Sequence, residues 1–129
     1  MWPVPRFRHV SEVLLLVAHV LCAGEFSGTV VSVQDGDTLT VLHGGREVRI
    51  RLRGIDCPEK GQAFGLNARG LTAELALGTS VRVMEEDVDR YGRVVATVML
   101  ADGRDLNREI VAAGLAWWYR KYAPGDLPA

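Results

Sequence analysis

A mainly β, α+β domain is predicted for this chain on three observations. Apolar and polar residues alternate with period two across most of Phe26 to Leu100. One helical stretch interrupts that alternation, and a second, shorter one follows it. At 129 residues and 48% hydrophobic content the chain closes one core and little more, so a single domain is expected over residues 25–124, with 125–129 as a tail.

Residues 1–24 differ from the rest. Arg6, Arg8 and His9 precede an apolar run from Val13 to Ala23, interrupted by His19, which reads as a secretory leader with cleavage near Ala23 or Gly24. Such a run covers about 16 Å as helix, roughly half of a hydrocarbon core, so a membrane span is the weaker reading and an uncleaved anchor the alternative. The expected location is extracytoplasmic. Removal of the leader would take Cys22 with it and leave Cys57 without a disulfide partner.

Strands are expected near 26–34, 38–43, 47–54, 80–86 and 93–100, with His43-Gly44-Gly45-Arg46 as a hairpin turn. The third is the clearest: Val48, Ile50 and Leu52 fall on one face, Arg49, Arg51 and Arg53 on the other, so one face is core and one is cationic. After it, Phe64, Ala68, Leu71 and Leu75 recur at helical spacing until Gly78. Asp105 caps a short final helix whose Leu106, Ile110 and Val111 face inward and which Gly114 ends. Five strands with a helix between the third and fourth and a short C-terminal helix is the order of an OB-fold barrel.

Charge narrows the function. Lys+Arg 15 against Asp+Glu 16 gives a net charge of -1, so bulk charge does not draw in a polyanion and any phosphate binding is local. Apart from Lys60 and Lys121 the cationic residues are arginines, whose planar fork suits bidentate contact with phosphate.

Two segments concentrate the chemistry. Asp35-Gly36-Asp37-Thr38 and Ile55-Asp56-Cys57-Pro58-Glu59 place Asp37, Asp56 and Glu59 at two strand ends, with Arg51 and Arg53 leading into the second. Singly, each reads as ordinary turn chemistry. Together, the three acids are expected to gather around one divalent ion, since each like-charge pair costs about 4 kcal/mol at about 4 Å in an effective dielectric near 20. Hard oxygen donors point to Ca²⁺ or Mg²⁺. Arg51, and Arg93 from Asp89-Arg90-Tyr91-Gly92-Arg93, could converge with that cation on one phosphate.

These segments, with Arg51-Leu52-Arg53-Gly54 running into Ile55 and Leu106-Asn107 leading to Gly114-Leu115-Ala116, resemble the staphylococcal nuclease family in order and over nearly all of residues 26–122. The resemblance implies an OB-fold nuclease that uses Ca²⁺ to hydrolyse DNA and RNA with little sequence preference, leaving a free 5′-hydroxyl. It implies Asp37, Asp56 and the main-chain carbonyl of Cys57 as calcium ligands, Glu59 as general base, and Arg51 and Arg93 as the catalytic pair on the scissile phosphate. Asp35 and Thr38 would support the ligands from behind. Arg90, Tyr91, Tyr119 and Tyr122 are the implied substrate contacts. In Trp117-Trp118-Tyr119, one tryptophan is expected to pack and Tyr119 to reach toward the cleft. The Cys57 side chain has no implied role, and none of His9, His19 or His43 occupies a motif position as a base for it.

Two departures stand out. Lys60-Gly61-Gln62-Ala63 leads to the first helix by a loop shorter than in the best-known member, and only seven residues follow Tyr122, leaving no room for the C-terminal helix of many members. The rival reading is an inactive OB-fold nucleic-acid-binding module, which Asp37, Arg51, Asp56, Glu59 and Arg93 together disfavour. A structural or adhesion domain would have no use for that set. No stable protein partner is expected, a monomer is, and membrane contact only through an uncleaved leader.

Overall fold

A computed structural model describes residues 24–118. Residues 1–23, which hold all but the last residue of the expected leader, and residues 119–129, with Tyr119, Tyr122 and the expected tail, lie outside the described residues.

The strands are β1 (Glu25–Asp35), β2 (Thr38–His43), β3 (Arg46–Leu52), β4 (Ile55–Asp56), β5 (Ser80–Val88), β6 (Val94–Met99) and β7 (Trp117–Trp118); the helices are α1 (Gly65–Ala76) and α2 (Leu106–Ala112). Five of the strands close into a barrel in the order β1-β2-β3-β6-β5, while β4 and β7 form a separate two-stranded ribbon. The OB-type barrel and its two helices agree with the sequence expectation. The ribbon does not appear there: each strand is two residues long, and its pairing depends on tertiary contact rather than on any periodic pattern.

Alternation does what the sequence suggests. Ile50 and Leu52 are fully buried with Val30, Leu39, Val41, Val83 and Val98, and Arg49 and Arg51 point to the opposite face of β3. The tight link between β2 and β3 is made by Gly44 and Gly45 at φ 57° and 80°, conformations that side chains with a Cβ rarely adopt. At the other end of β3 the strand stops at Leu52, earlier than expected, because Gly54 turns at φ 75° to start β4.

The first helix packs on the expected face, but most closely through its small residues rather than its leucines. Ala68, Thr72 and Ala76 are buried, Leu71 and Leu75 only partly so, and Phe64 is 68% exposed at the helix entry. The reason is close approach. A Cβ on Gly36 would stand 2.8 Å from the Ala68 Cβ and 2.9 Å from Cys57 Sγ, so only small helix residues fit over the Asp35–Asp37 turn. Thr72 Oγ1 donates to the Gly36 carbonyl at 2.6 Å and Arg69 Nε to the Val33 carbonyl at 2.9 Å. Thus α1 holds the first carboxylate turn in place.

α2 holds the second. Asp105 caps it by accepting from the Arg108 N–H, and Leu106 and Ile110 are buried. Asn107, also buried, accepts from the Val98 N–H at 3.2 Å and donates to the Arg53 carbonyl at 2.9 Å and the Ala96 carbonyl at 3.3 Å. One amide thereby joins α2, β6 and the turn into β4. Among the described residues no helix is long and apolar enough to cross a membrane.

Candidate active site

The turn between β1 and β2, the end of β3, the ribbon strand β4 and the turn before β6 meet at a polar cleft of ≈ 400 Å³. Asp35, Asp37 and Thr38 line it from the first turn, Arg51 from β3, and Asp56, Cys57 and Glu59 from β4 and its loop. Arg93 and Trp117 complete the rim, with Gln62 beside Glu59.

Asp37 is the most enclosed acid. Its Oδ2 accepts from the Cys57 main-chain N–H at 3.0 Å and its Oδ1 from Thr38 Oγ1 at 3.0 Å. Thr38 lies directly across from Arg51 in the β2–β3 register, which brings the guanidinium to the same place. Arg51 Nη1 donates to the carbonyls of Leu52 and Ile55, both at 2.8 Å. Its Nη2 stands 3.3 Å from Asp56 Oδ1 and 3.5 Å from Asp37 Oδ2. One nitrogen therefore bridges the two aspartates.

Burial pushes the Asp56 carboxyl above its ordinary value; Arg51 and the Cys57 N–H pull it back, and neighbouring Asp37 pushes it up again. The two acids are a repulsive pair held together. Burial also drives the Cys57 thiol up to about 12, reinforced by Asp37, so the side chain stays protonated and serves as packing beneath Gly36.

Glu59 sits on a self-bonded loop. Its N–H donates to Gln62 Oε1 and its carbonyl accepts from the Gln62 N–H, both at 2.8 Å. Its own carboxylate makes no hydrogen bond or ion pair among the described residues and faces solvent. The expectation that three acids gather around one ion is corrected: among the described residues no three metal-ligating side chains form such a group. Arg51 draws Asp37 and Asp56 together, whereas the loop beyond Pro58 carries Glu59 to the rim.

A divalent cation still fits the two aspartates that line the cleft together. Asp37 and Asp56 offer hard carboxylate oxygens that repel one another and that a single guanidinium nitrogen only partly neutralises. Calcium or magnesium matches oxygen donors of this kind.

Arg93 is fixed by Asp89. Asp89 Oδ1 accepts from the N–H groups of Tyr91 and Arg93, each at 2.9 Å, and Oδ2 from Arg93 Nε at 2.7 Å. Partial burial acts to raise the Asp89 carboxyl, but these bonds outweigh it and hold it below its ordinary range. The Tyr91 ring lies against two guanidinium groups, 5.1 Å from that of Arg90 and 5.3 Å from that of Arg93, and Arg90 Nη2 donates to the Tyr91 hydroxyl at 2.9 Å. Neither Arg90 nor Tyr91 lines the cleft.

Trp117 and Gln62 line it without having been singled out as site residues. Trp118 packs against the core and lies over Gly54, so its neighbour Trp117, paired with Asp56 in the ribbon, turns outward at 53% exposure. Buried Ala116 followed by the tryptophan pair carried that alternation. Gln62, three residues after Glu59, carried a turn-lock spacing.

Comparison with known proteins bears on this geometry. Residues 49–127 match the sequence pattern of the family described as staphylococcal nuclease homologue. The chain is 41% identical over 123 residues to a micrococcal nuclease of Shigella flexneri, across 89% of this chain and 71% of that one. It is 44% identical over 115 residues to an uncharacterized endonuclease of Escherichia coli, across 89% and 75%. A similar endonuclease of Haemophilus influenzae is 40% identical over 114 residues, across 85% and 64%. On the length matched and the identity, the chain belongs to the staphylococcal nuclease family and is a nuclease.

Proposed function

We propose that the protein is a calcium-dependent phosphodiesterase acting on DNA and RNA with low sequence specificity. The observation that supports this most is the assembly of Asp37, Asp56, Glu59, Arg51 and Arg93 around one cleft.

In this reading Asp37, Asp56 and the Cys57 carbonyl hold calcium, which would polarise a phosphoryl oxygen and offset charge developing on it. Arg51 keeps Nη1 anchored on two carbonyls and presents Nη2 to the cleft, so its fork is oriented before substrate arrives. Asp89 holds Arg93 at Nε and leaves the rest of its guanidinium for the phosphate. Glu59, with no partner of its own among the described residues, takes the proton of the attacking water. Arginine is too weak an acid to protonate the leaving oxygen readily, so we assign that proton to neither arginine. Trp117, exposed on the rim, offers a stacking face for a base. We read residues 1–24 as an export leader, which would place this activity outside the cytoplasm.

The test is incubation of the full chain with plasmid and with single-stranded DNA, in calcium and in EGTA. Digestion to 5′-hydroxyl ends in calcium alone is expected. Equal digestion in chelator would remove the metal from the mechanism, and no digestion in either would remove the nuclease.

A further inference from the structure

The hairpin joining β2 to β3 and the turn before β6 enclose a second groove, of ≈ 500 Å³. Arg46, Glu47, Val48 and Arg49 line it from β3, with His43 on the hairpin and Gly92 on the opposite turn. It starts next to the cleft on both walls. Arg49 lies two residues from Arg51 on the same outward face of β3, and Gly92 adjoins Arg93. The parallel pairing of Ile50 with Val94 leaves Arg49 on β3 and Arg93 on the turn before β6 each one residue before a paired position.

The arginines here differ from the others. Each remaining arginine among the described residues, from Arg51 on Asp37 and Asp56 to Arg108 on Asp105, has its guanidinium hydrogen-bonded or ion-paired, Arg69 to the Val33 carbonyl. Arg46 and Arg49 have no such partner there, and both are exposed. In a chain of net charge -1, two uncommitted guanidinium groups on one groove form a local anion site rather than a share of a general surplus. Arg49 also continues the row of Arg51 at a two-residue step of about 6.7 Å. That is comparable to the step between successive phosphates of an extended single strand.

Resting on the nuclease reading above, we propose that Arg46 and Arg49 form a subsite for backbone phosphates of a single-stranded polynucleotide, beyond the phosphate being cleaved. Guanidinium forks suit those oxygens, and the contact is indifferent to base identity. Glu47 shares the groove and forms no ion pair among the described residues, so its carboxylate opposes the phosphates and moderates the affinity. His43, which also lines the groove, is already engaged, with Nδ1 2.7 Å from the Ser27 carbonyl and its ring 4.8 Å from that of Phe26.

The test compares the parent with Arg46→Gln/Arg49→Gln on single-stranded oligonucleotides of about twelve and about three nucleotides, the shorter confined to the cleft. The double variant is expected to raise KM for the longer substrate roughly tenfold and to lower the salt slope of its binding, measured in EGTA, by about 1.4, two contacts at about 0.7 each. The shorter substrate shows no such rise, and Glu47→Gln tightens binding of the longer one. Arg104→Gln/Arg108→Gln, which removes the same charge from the α2 end, serves as control. An unchanged KM for the longer substrate, an equal rise on the shorter, or a control that matches the double variant would overturn the subsite. A parent that cleaves DNA while the double variant equals it removes the subsite alone; a parent that cleaves none removes the nuclease reading and the subsite together.

Discussion

The Cys57 main-chain N–H donates to Asp37 Oδ2 at 3.0 Å, tying the first carboxylate turn to the second across the cleft. Asp37 is thus both a candidate metal ligand and a structural acceptor, and two substitutions separate the roles. Asp37→Ala leaves the buried Cys57 N–H and the Thr38 hydroxyl without their acceptor and is expected to lower stability by about 1–3 kcal/mol in urea unfolding. Asp37→Asn keeps a side-chain oxygen for one of them. It should retain most of that stability while losing DNA hydrolysis as fully as the alanine variant. An asparagine variant with parental activity would show that the carboxylate charge is not needed.

Gly65 sets the position of Glu59. A Cβ at Gly65 would overlap the Glu59 carbonyl and crowd Lys60, so any side chain there displaces the loop that carries the proposed base. Gly65→Ala is expected to reduce kcat by at least about tenfold through that displacement. Gly70, exposed on the same helix with nothing near its missing Cβ, is the control. Gly70→Ala should stabilise the protein by about 0.5–1 kcal/mol and leave kcat unchanged. Equal kcat in the two variants would contradict the placement of Glu59 by this contact.

The lock between Asp89 and Arg93 should be sensitive to acid. Hydrogen bonds from Arg93 and Tyr91 hold the Asp89 carboxyl below its unfolded value despite partial burial. A depressed folded-state value means that the stabilisation is fully present above the unfolded value, near 3.9, and is lost as pH falls through the folded one. Asp89→Asn should therefore be less stable than the parent at neutral pH, and the difference should shrink below about pH 4. Chemical unfolding across that range checks it; a constant difference would show that Asp89 does not titrate as the geometry requires.

The barrel was legible because its signals are local. Alternation in β3, paired glycines at the hairpin and an aspartate before α2 each act within a few residues, and each specifies the observed element. The packing of α1 was legible only in part. Ala68, Leu71 and Leu75 carry the helical period and all meet the core, yet the need to lie over Gly36 gives the closest contacts to Ala68 and Thr72 and leaves the leucines half-buried, a constraint set by another part of the chain. The β4–β7 ribbon escaped for the same reason, and with it the outward turn of Trp117. In the cleft, the residue types and their order were readable, whereas the bridging of Asp37 and Asp56 by one nitrogen of Arg51 was not. That contact depends on the Thr38–Arg51 register and on the carbonyls of Leu52 and Ile55 that anchor the guanidinium.

Glu59 bears most of the proposed mechanism, because it alone among the acids Asp37, Asp56 and Glu59 keeps a carboxylate free of partners within the described residues. Glu59→Gln preserves the side-chain shape and the main-chain bonds to Gln62, so the fold should be retained. The most direct measurement is the rate of plasmid hydrolysis by this variant against the parent at saturating calcium. A fall of roughly 10²- to 10⁴-fold is the predicted result, and a rate equal to the parent's would contradict Glu59 as the base that activates water.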